Sequence, residues 1–414
     1  MNSLIELGKR AKMAARTLSC FSTAQKNAAL HAIAESLREH AEQIIQANAR
    51  DLEAAQKNEM SVSMQDRLRL TKERIDQIAD AVEHIVKLED PVGQVIGGGN
   101  RPNGLKIEKS RVPLGVVGMI FEARPNVTVD AASLCLKSSN ACILRGGKEA
   151  IHSNTILAEL MRNALESQGL SKDVIQLVSD TSRQSAHDLM NLNGYLDALI
   201  PRGGKGLIRA VVDNASVPVI ETGAGNCHIY VDASADLDMA AAICDNAKTS
   251  RPSVCNAVET ILVHRDIAPQ FLPKLKKALD LHHVKLRGCT RTAALIPDVV
   301  PVTQEDYATE YDDYILALRV VDTLDEAIEH IQTYSTGHSE AILTNDYHNA
   351  QEFITRIDSA AVYVNASTRF TDGGEFGFGA EIGISTQKLH ARGPMGLAEL
   401  CSCKYIVTGN GQIR

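Results

Sequence analysis

The chain has 414 residues, which is long enough to bury a large core and excludes a small scaffold held together by disulfides. Its hydrophobic content of 44% and charged content of 23% are ordinary for globular proteins, so we expect the whole length to fold. The net charge of −8, with no run of lysine or arginine, argues against a nucleic-acid surface.

The N-terminus lacks the apolar core of a signal peptide, and no stretch reaches the roughly 18 apolar residues that cross a bilayer, so we expect retention in the cytosol.

Residues 1–90 are predicted to be mostly helical. Residues 22–25 have the form of a capping box and precede apolar residues at helical spacing. A second apolar stripe follows Thr71 and ends at Asp90-Pro91, since proline removes a backbone donor.

Residues 93–112 predict an extended hairpin, because glycine and asparagine separate short pieces of high β propensity. From Gly115 onward, helical stretches of the right length for right-handed crossovers separate apolar runs. Strands are therefore expected at 116–120, 141–144, 174–178 and 196–200. This alternation predicts a doubly wound parallel sheet.

A second alternating block predicts a second α/β domain. Its strands are expected at 260–263 and 314–318, and its helices at 271–281 and 324–331. Residues 403–408 form a strand with no local partner. Such a strand usually pairs with a distant hairpin or with another subunit, so we expect a homo-oligomer.

Neither common nucleotide-binding fingerprint is present. No Gly-x-Gly-x-x-Gly follows a predicted strand, and residues 146–149, Gly-Gly-Lys-Glu, lack the hydroxyl residue of a Walker loop. The nearest substitute is Pro-Arg-Gly-Gly-Lys-Gly at 201–206, which opens a helix and would let backbone N–H groups approach a diphosphate. The same glycines could simply form a tight turn.

Nine cysteines without a Cys-x-x-Cys pair predict reduced thiols rather than a disulfide framework or a zinc site. Most such thiols are buried small hydrophobes, so composition singles out none of them as catalytic. The histidines show no metal-ligand spacing, and no metal is expected.

Four segments resemble the aldehyde dehydrogenase superfamily and together span most of the chain. Arg-Pro-Ser-Val-Cys-Asn at 251–256 is similar to the nucleophile segment, and supporting matches lie at 118–126, 220–226 and 375–379. The motif Phe-Glu-Ala-Arg-Pro-Asn, followed by Ile-Pro-Arg-Gly-Gly, resembles the branch of the superfamily that reduces acyl phosphates.

The resemblance implies an α/β fold of the aldehyde dehydrogenase type, with a Rossmann-type cofactor domain, an α/β catalytic domain and a small β oligomerisation extension. The active site is expected in the cleft between the two main domains. The implied boundaries are 1–92 and 112–228 for the cofactor domain, 229–380 for the catalytic domain, 93–111 and 396–414 for the extension, and 381–395 for a return segment.

The implied reaction is the reduction of L-glutamate 5-phosphate to L-glutamate 5-semialdehyde, the second step of proline biosynthesis from glutamate, with a functional link to glutamate 5-kinase. Cys255 would attack the acyl phosphate, and the thioester would accept hydride from NADPH. Cys255 could instead be a packed core thiol. The alternative functions are an aldehyde-oxidising dehydrogenase that uses the same thiol and a catalytically silent protein that has kept the fold.

The resemblance assigns Asn126 and the Cys255 N–H as donors to the oxyanion, although Asn126 could instead cap its helix. Glu221 holds the position of the general base in hydrolytic relatives. Water attack would be futile in a reductase, and the following Thr-Gly-Ala-Gly departs from the usual Leu-Gly-Gly-Lys. A structural or orienting carboxylate is therefore favoured.

Cofactor binding is assigned by the resemblance to Arg145, Lys148, Gly203, Gly204 and, with a looser alignment, Glu310. Two cations near the ribose favour a 2′-phosphate and hence NADPH over NADH, unless Lys148 is only a solvated side chain.

Substrate binding is expected from polar residues beside the matched motifs, because the substrate carries an α-carboxylate, an α-ammonium and a phosphate. The candidates are Arg124, Ser253, Thr368 and Arg369. Each could equally be a structural partner of another polar group.

Overall fold

The computed structural model describes residues 2–414, except for the side chains of residues 2, 62 and 63, and it forms two compact units. Unit 1 is made of the residues up to Thr222 together with Gly377–Gly383 and Met395–Arg414, and unit 2 of Gly223–Phe376 together with Ile384–Pro394. No described helix has both the length and the apolar composition that crossing a membrane requires. The assignment of separate cofactor and catalytic domains stays a prediction.

The described residues form fifteen α-helices and sixteen strands. The helices are α1 (Asn2–Leu18), α2 (Thr23–Glu39), α3 (Ala41–Lys57), α4 (Val62–Leu68), α5 (Lys72–Lys87), α6 (Asn126–Lys137), α7 (Ile151–Ser167), α8 (Arg183–Met190), α9 (Lys205–Asn214), α10 (Leu237–Thr249), α11 (Ala268–Asp280), α12 (Thr290–Ala293), α13 (Gln304–Tyr307), α14 (Leu324–Tyr334) and α15 (Tyr347–Arg356). The strands are β1 (Val95–Asn100), β2 (Lys106–Pro113), β3 (Val116–Phe121), β4 (Ala141–Gly146), β5 (Ile175–Leu177), β6 (Ala198–Arg202), β7 (Cys227–Val231), β8 (Val258–His264), β9 (Lys285–Gly288), β10 (Val300–Pro301), β11 (Ile315–Val321), β12 (Ser339–Leu343), β13 (Ala361–Val364), β14 (Ile384–Ser385), β15 (Gly393–Pro394) and β16 (Cys401–Thr408).

The helical N-terminal region follows from caps and apolar stripes in the sequence. The Ser22 hydroxyl accepts from the Gln25 N–H and the Gln25 side chain accepts from the Ser22 N–H, which confirms the predicted capping box. Thr71 caps α5, and this helix buries the predicted stripe except for its last residue, Val86, which is half-buried. The buried residues of α5 are Ile75, Ile78, Ala79, Val82 and Ile85.

The predicted hairpin is confirmed, because β1 and β2 pair antiparallel. On the other side of β2 lies β16, in register from Cys401 opposite Pro113 to Thr408 opposite Lys106. The C-terminal strand therefore finds its partner in the distant hairpin of its own chain. The resulting sheet has the order β1-β2-β16, so β16 is an outer strand.

Unit 1 contains the first predicted parallel sheet, with the strand order β5-β4-β3-β6. The chain runs outward from β3 through β4 to β5 and then returns to place β6 on the other side of β3. The carboxyl ends of β3 and β6 thus form a topological switch point, which is where open α/β sheets bind their ligands. This sheet edge is the expected position of a cofactor.

Unit 2 is built on a seven-stranded parallel sheet with the order β10-β9-β11-β8-β7-β12-β13. Successive residues of a strand point to opposite faces. On β7, Ile229 and Val231 join a core that includes Phe271 of α11, whereas Tyr230 packs with Ile328 of α14 on the other face. Helices therefore cover both faces, as a buried parallel sheet requires.

Candidate active site

Cys255 lies half-buried in the irregular segment between α10 and β8 of unit 2. Gly225 packs directly against it: a Cβ atom at Gly225 would lie only 1.5 Å from the carbonyl oxygen of Cys255. The buried Cys227 thiol donates to the same carbonyl oxygen, with Sγ 3.1 Å away. The backbone of the nucleophile candidate is therefore held from one side by the segment that leads into β7.

Asn256 fixes the other side of this segment. Its amide nitrogen donates to the carbonyl oxygens of Arg369 at 3.2 Å and Thr371 at 3.0 Å. The Thr368 hydroxyl donates to the Asn256 carbonyl oxygen at 2.7 Å, and an Arg369 guanidinium nitrogen donates to the Asn256 side-chain oxygen. The short 3₁₀ turn at 368–370 thus clamps the residue that follows Cys255.

Two predicted substrate-binding residues belong to this clamp. Thr368 is fully buried, and its hydroxyl proton is used inside the protein. Burial and the neighbouring Arg251 lower the pKa of the Arg369 guanidinium, while its attraction to Cys255 acts in the opposite direction. A cation within electrostatic range of a thiol favours the thiolate, which is the nucleophilic form.

Glu310, the predicted ribose carboxylate, also lies at the thiol segment. Its Oε1 atom accepts from the Gly225 N–H at 2.8 Å, so it supports the glycine on which Cys255 packs. Ser253 lies half-buried two residues before Cys255. Unit 2 thus brings Cys255, Glu310, Ser253, Thr368 and Arg369 to one segment, and their roles toward ligands stay predictions.

Sequence reasoning missed a set of buried polar residues behind this segment. The His338 ring hydrogen-bonds to the Ser339 hydroxyl at 2.8 Å, and that hydroxyl lies 2.6 Å from the Thr371 hydroxyl. Glu259 pairs with the buried Lys248 at 2.7 Å. Glu259 could have been recognised from the sequence, because a carboxylate within a buried strand needs a buried partner.

In unit 1, two carboxylates tie together the loops that follow β3, β4 and β6. Glu149 accepts from the Ala123 N–H at 2.6 Å, and Glu122 accepts from the Gly204 N–H at 3.0 Å. Ala123 has φ of +33°, a left-handed conformation that is strained for a residue with a Cβ and that is common at functional sites. A side chain at Gly203 would collide with Glu122 at 2.4 Å.

The structure brings the predicted cofactor residues of unit 1 to this same sheet edge. Arg145 lies at the end of β4 and Lys148 follows it, and Gly203 and Gly204 follow β6. Arg145 Nη2 donates to the carbonyl oxygens of Thr181 and Ser182 at 2.7 and 3.0 Å, so this guanidinium group holds the loop before α8. Lys148 is exposed, which leaves its ammonium group able to meet an anion.

The glycine-rich start of α9 can be approached closely from outside. Nothing lies within 4 Å of the position that a Cβ atom would take at Gly206, and a Cβ at Gly204 would meet only Glu122, at 4.0 Å. An anionic cofactor favours such a glycine-rich helix start, where backbone N–H groups face the ligand. The residues present therefore fit a nicotinamide dinucleotide.

Asn126 is the first residue of α6, and the cap position is held by Pro125. The alternative in which Asn126 caps its helix is wrong, since Asn126 lies inside α6 and Pro125 takes the cap position. Its amide nitrogen instead donates to Asp130 Oδ2 at 2.9 Å. Arg124, the remaining substrate candidate, lies half-buried in the turn before this helix, and Glu221 is half-buried near the end of the first segment of unit 1.

The two parallel sheets and the fixed thiol segment are those expected of an aldehyde dehydrogenase, and comparison with known proteins agrees with this class. The model of the aldehyde dehydrogenase family matches residues 4–288, which is more than half of the chain. The chain belongs to the aldehyde dehydrogenase family.

Comparison over the full length of the chain finds relatives that share one name within this family. The chain is 59% identical over 413 residues to the Gamma-glutamyl phosphate reductase of Clostridium perfringens, with 100% of both chains covered. The crystal structure of Gamma-glutamyl phosphate reductase from Thermotoga maritima is 50% identical, with a TM-score of 0.97 and 99% of each chain covered. An Acetylating Aldehyde Dehydrogenase from Geobacillus thermoglucosidasius, 17% identical with a TM-score of 0.72 over 100% and 98% of the two chains, shares the fold. The predicted fold class is confirmed.

Proposed function

We propose that this chain reduces L-glutamate 5-phosphate to L-glutamate 5-semialdehyde and inorganic phosphate, with NADPH as the reductant and Cys255 as the nucleophile. The identity of 59% to a gamma-glutamyl phosphate reductase over the whole length supports the reaction. The observation that carries the chemistry is the thiol segment itself, in which Gly225, Cys227 and Asn256 hold the backbone of Cys255 from both sides.

The Cys255 thiolate adds to the acyl carbon of the substrate, and phosphate leaves with the electron pair of the broken C–O bond. The resulting thioester is a better hydride acceptor than an oxygen ester would be. When bound, the nicotinamide cofactor supplies the hydride. The tetrahedral adduct on Cys255 then collapses to the aldehyde, and the thiolate leaves with the electron pair of the C–S bond.

The remaining predicted site residues would stabilise the charges that develop in these steps. Asn126 and the Cys255 N–H are proposed as donors to the oxyanion, each worth roughly 2.7–4 kcal/mol by analogy with other enzymes. Arg369 would favour the thiolate, and Arg124 and Ser253 are proposed to meet the charged groups of the substrate. Glu221 is proposed to orient other groups rather than to activate water.

The family uses nicotinamide cofactors, and the preference for NADPH is our proposal. The exposed Lys148 supports it, because an ammonium group at the end of β4 would meet a 2′-phosphate. Arg145 would help mainly by holding its loop, and Gly203 and Gly204 would admit the diphosphate. An acyl phosphate is a mixed anhydride formed by phosphoryl transfer to a carboxylate, which is the basis of the proposed link to glutamate 5-kinase.

The acyl-enzyme tests this proposal. Mixing the enzyme with glutamate semialdehyde and NADP⁺ in the absence of phosphate should release one NADPH per active site and leave one γ-glutamyl group on Cys255, detected by intact-mass and peptide mass spectrometry. Cys255→Ser is the matched control, and it should give neither the burst nor the adduct. Steady turnover without phosphate, and with no adduct, would instead indicate a hydrolytic aldehyde dehydrogenase.

A further inference from the structure

Asp130 lies one helical turn after Asn126 on α6, and spacing of this kind places both side chains on the same face of the helix. The two groups are joined by the hydrogen bond from Asn126 Nδ2 to Asp130 Oδ2 at 2.9 Å. An ionised carboxylate can only accept hydrogen bonds. It therefore turns the nitrogen of the Asn126 amide, and not the oxygen, toward itself.

The orientation of this amide has a chemical consequence that rests on the proposed function. The amide nitrogen carries two hydrogens, of which Asp130 takes one, so the other can be donated to an oxyanion. In the flipped orientation the amide would present its oxygen in place of a donor, and a negative charge would be repelled. We propose that Asp130 is a positioning residue that fixes Asn126 as a hydrogen-bond donor to the oxyanion of the reaction.

The electrostatics of Asp130 support a functional role over a structural one. Burial raises the pKa of this carboxyl to about 6, although the Asn126 hydrogen bond and the charge of Arg202 both act to lower it. Arg202, at the end of β6, and Asn126, on the same helix, are the groups of the described residues that act on this carboxyl. The folded state thus disfavours the charge that orients Asn126, and an asparagine at this position would be tolerated more easily.

Two variants separate the hydrogen bond from the charge. Asp130→Ala removes the acceptor, and kcat for the phosphate-dependent reverse reaction should fall by roughly 10–100-fold with little change in KM. Asp130→Asn keeps an acceptor but can also present a donor, so we expect a smaller loss. Its melting temperature at pH 8 should be higher than that of the native chain, because the poorly solvated charge of the half-buried carboxylate is gone.

The pH profile gives a readout that a structural role would not change. Below a pH of about 6 the protonated carboxyl can donate to the Asn126 oxygen, so the native enzyme should lose activity on the acid side, and Asp130→Asn should lack that component. Asp213→Asn is the matched control, since this exposed residue of α9 pairs with Arg209 far from α6 in sequence. It should behave as the native chain does.

A double-mutant cycle tests whether Asp130 acts through Asn126. If Asp130 acts through Asn126, Asp130→Ala should cost nothing further in an Asn126→Ala background, which by itself should lose about 10²–10³-fold in kcat. Native activity in Asp130→Ala, or a further loss in the double variant, would overturn the inference. If Asp130→Ala fails to fold, Asp130→Asn decides by its pH profile. A native chain with no phosphate-dependent activity would instead refute the proposed function, and the inference with it.

Discussion

Gly225 is the residue on which the position of Cys255 depends most directly. We predict that Gly225→Ala lowers kcat by about 100-fold or more, because its Cβ would require the Cys255 carbonyl to move from a contact of 1.5 Å, and displacements of about 1 Å have that effect in active sites. Steady-state kinetics and a thermal melt measure the loss. Gly97→Ala is the control, because nothing lies within 4 Å of its Cβ position in β1. Unchanged activity in Gly225→Ala would disprove the packing argument.

A substitution at Thr368 distinguishes its two possible roles, support of the thiol segment and binding of the substrate. Thr368→Val keeps the shape of the buried side chain but removes the hydrogen bond to the Asn256 carbonyl oxygen, which we expect to cost about 1–3 kcal/mol of unfolding free energy in urea. If the residue only supports the thiol segment, kcat falls while KM for the semialdehyde stays constant. A large rise in KM with unchanged stability would instead show that Thr368 binds the substrate.

The sequence identified some site residues and not others for physical reasons. Cys255 stood out through its flanking motif, whereas the need for glycine at 225 arises from a backbone contact across 30 positions of the chain, which no local pattern reveals. Asp130 could have been found, because its spacing from Asn126 is the one at which helical side chains meet. Its charge state depends on burial and on Arg202, which only the fold supplies.

Among the elements, the strands that the sequence revealed include β3 and β4, which carry apolar runs at 116–120 and 141–144. The strands β7 and β12 were missed, and each carries a polar residue near its start, His228 and Glu340. These two residues are register partners in the sheet, and the His228 N–H donates to Glu340 Oε2 at 2.7 Å. The Glu340 carboxylate thus gains its backbone donor only through the pairing of strands that lie far apart in the chain.

This pair of strands also predicts a pH dependence of stability. Burial raises the pKa of Glu340 from 4.5 to about 8 and lowers that of His228 to about 4, so the imidazole stays neutral. A raised carboxyl pKa means that the folded state binds the proton more tightly, so its stability contribution is complete below pH 4.5 and is lost as the pH rises through about 8. Urea unfolding should therefore show lower stability at pH 9 than at pH 6.

Glu340→Gln tests whether Glu340 causes the loss of stability between pH 6 and pH 9. The amide mimics the protonated carboxyl, because its oxygen can accept from His228 and its nitrogen can donate to the Ser335 hydroxyl. The variant should make the decline between pH 6 and 9 shallower. A decline as steep as that of the native chain would show that another group is responsible.

At the scale of the whole molecule, β16 suggests how copies of the chain associate. It is an outer strand with exposed apolar side chains, Tyr405 being 66% and Val407 55% exposed, and such an edge favours association. We predict a homo-oligomer that Tyr405→Lys with Val407→Lys dissociates, measured by light scattering after size-exclusion chromatography. Ser402→Lys, a change on the other face of the same strand, is the control. An unchanged mass for the double variant would contradict this role.

The central claim, acyl-phosphate reduction through Cys255, is tested most directly by the phosphate dependence of the reverse reaction. Steady-state NADP⁺ reduction with glutamate semialdehyde should require inorganic phosphate in the native chain, because phosphate must attack the thioester to release the product. Cys255→Ala should abolish it. Continuous turnover without phosphate, or turnover that survives in Cys255→Ala, would contradict the account.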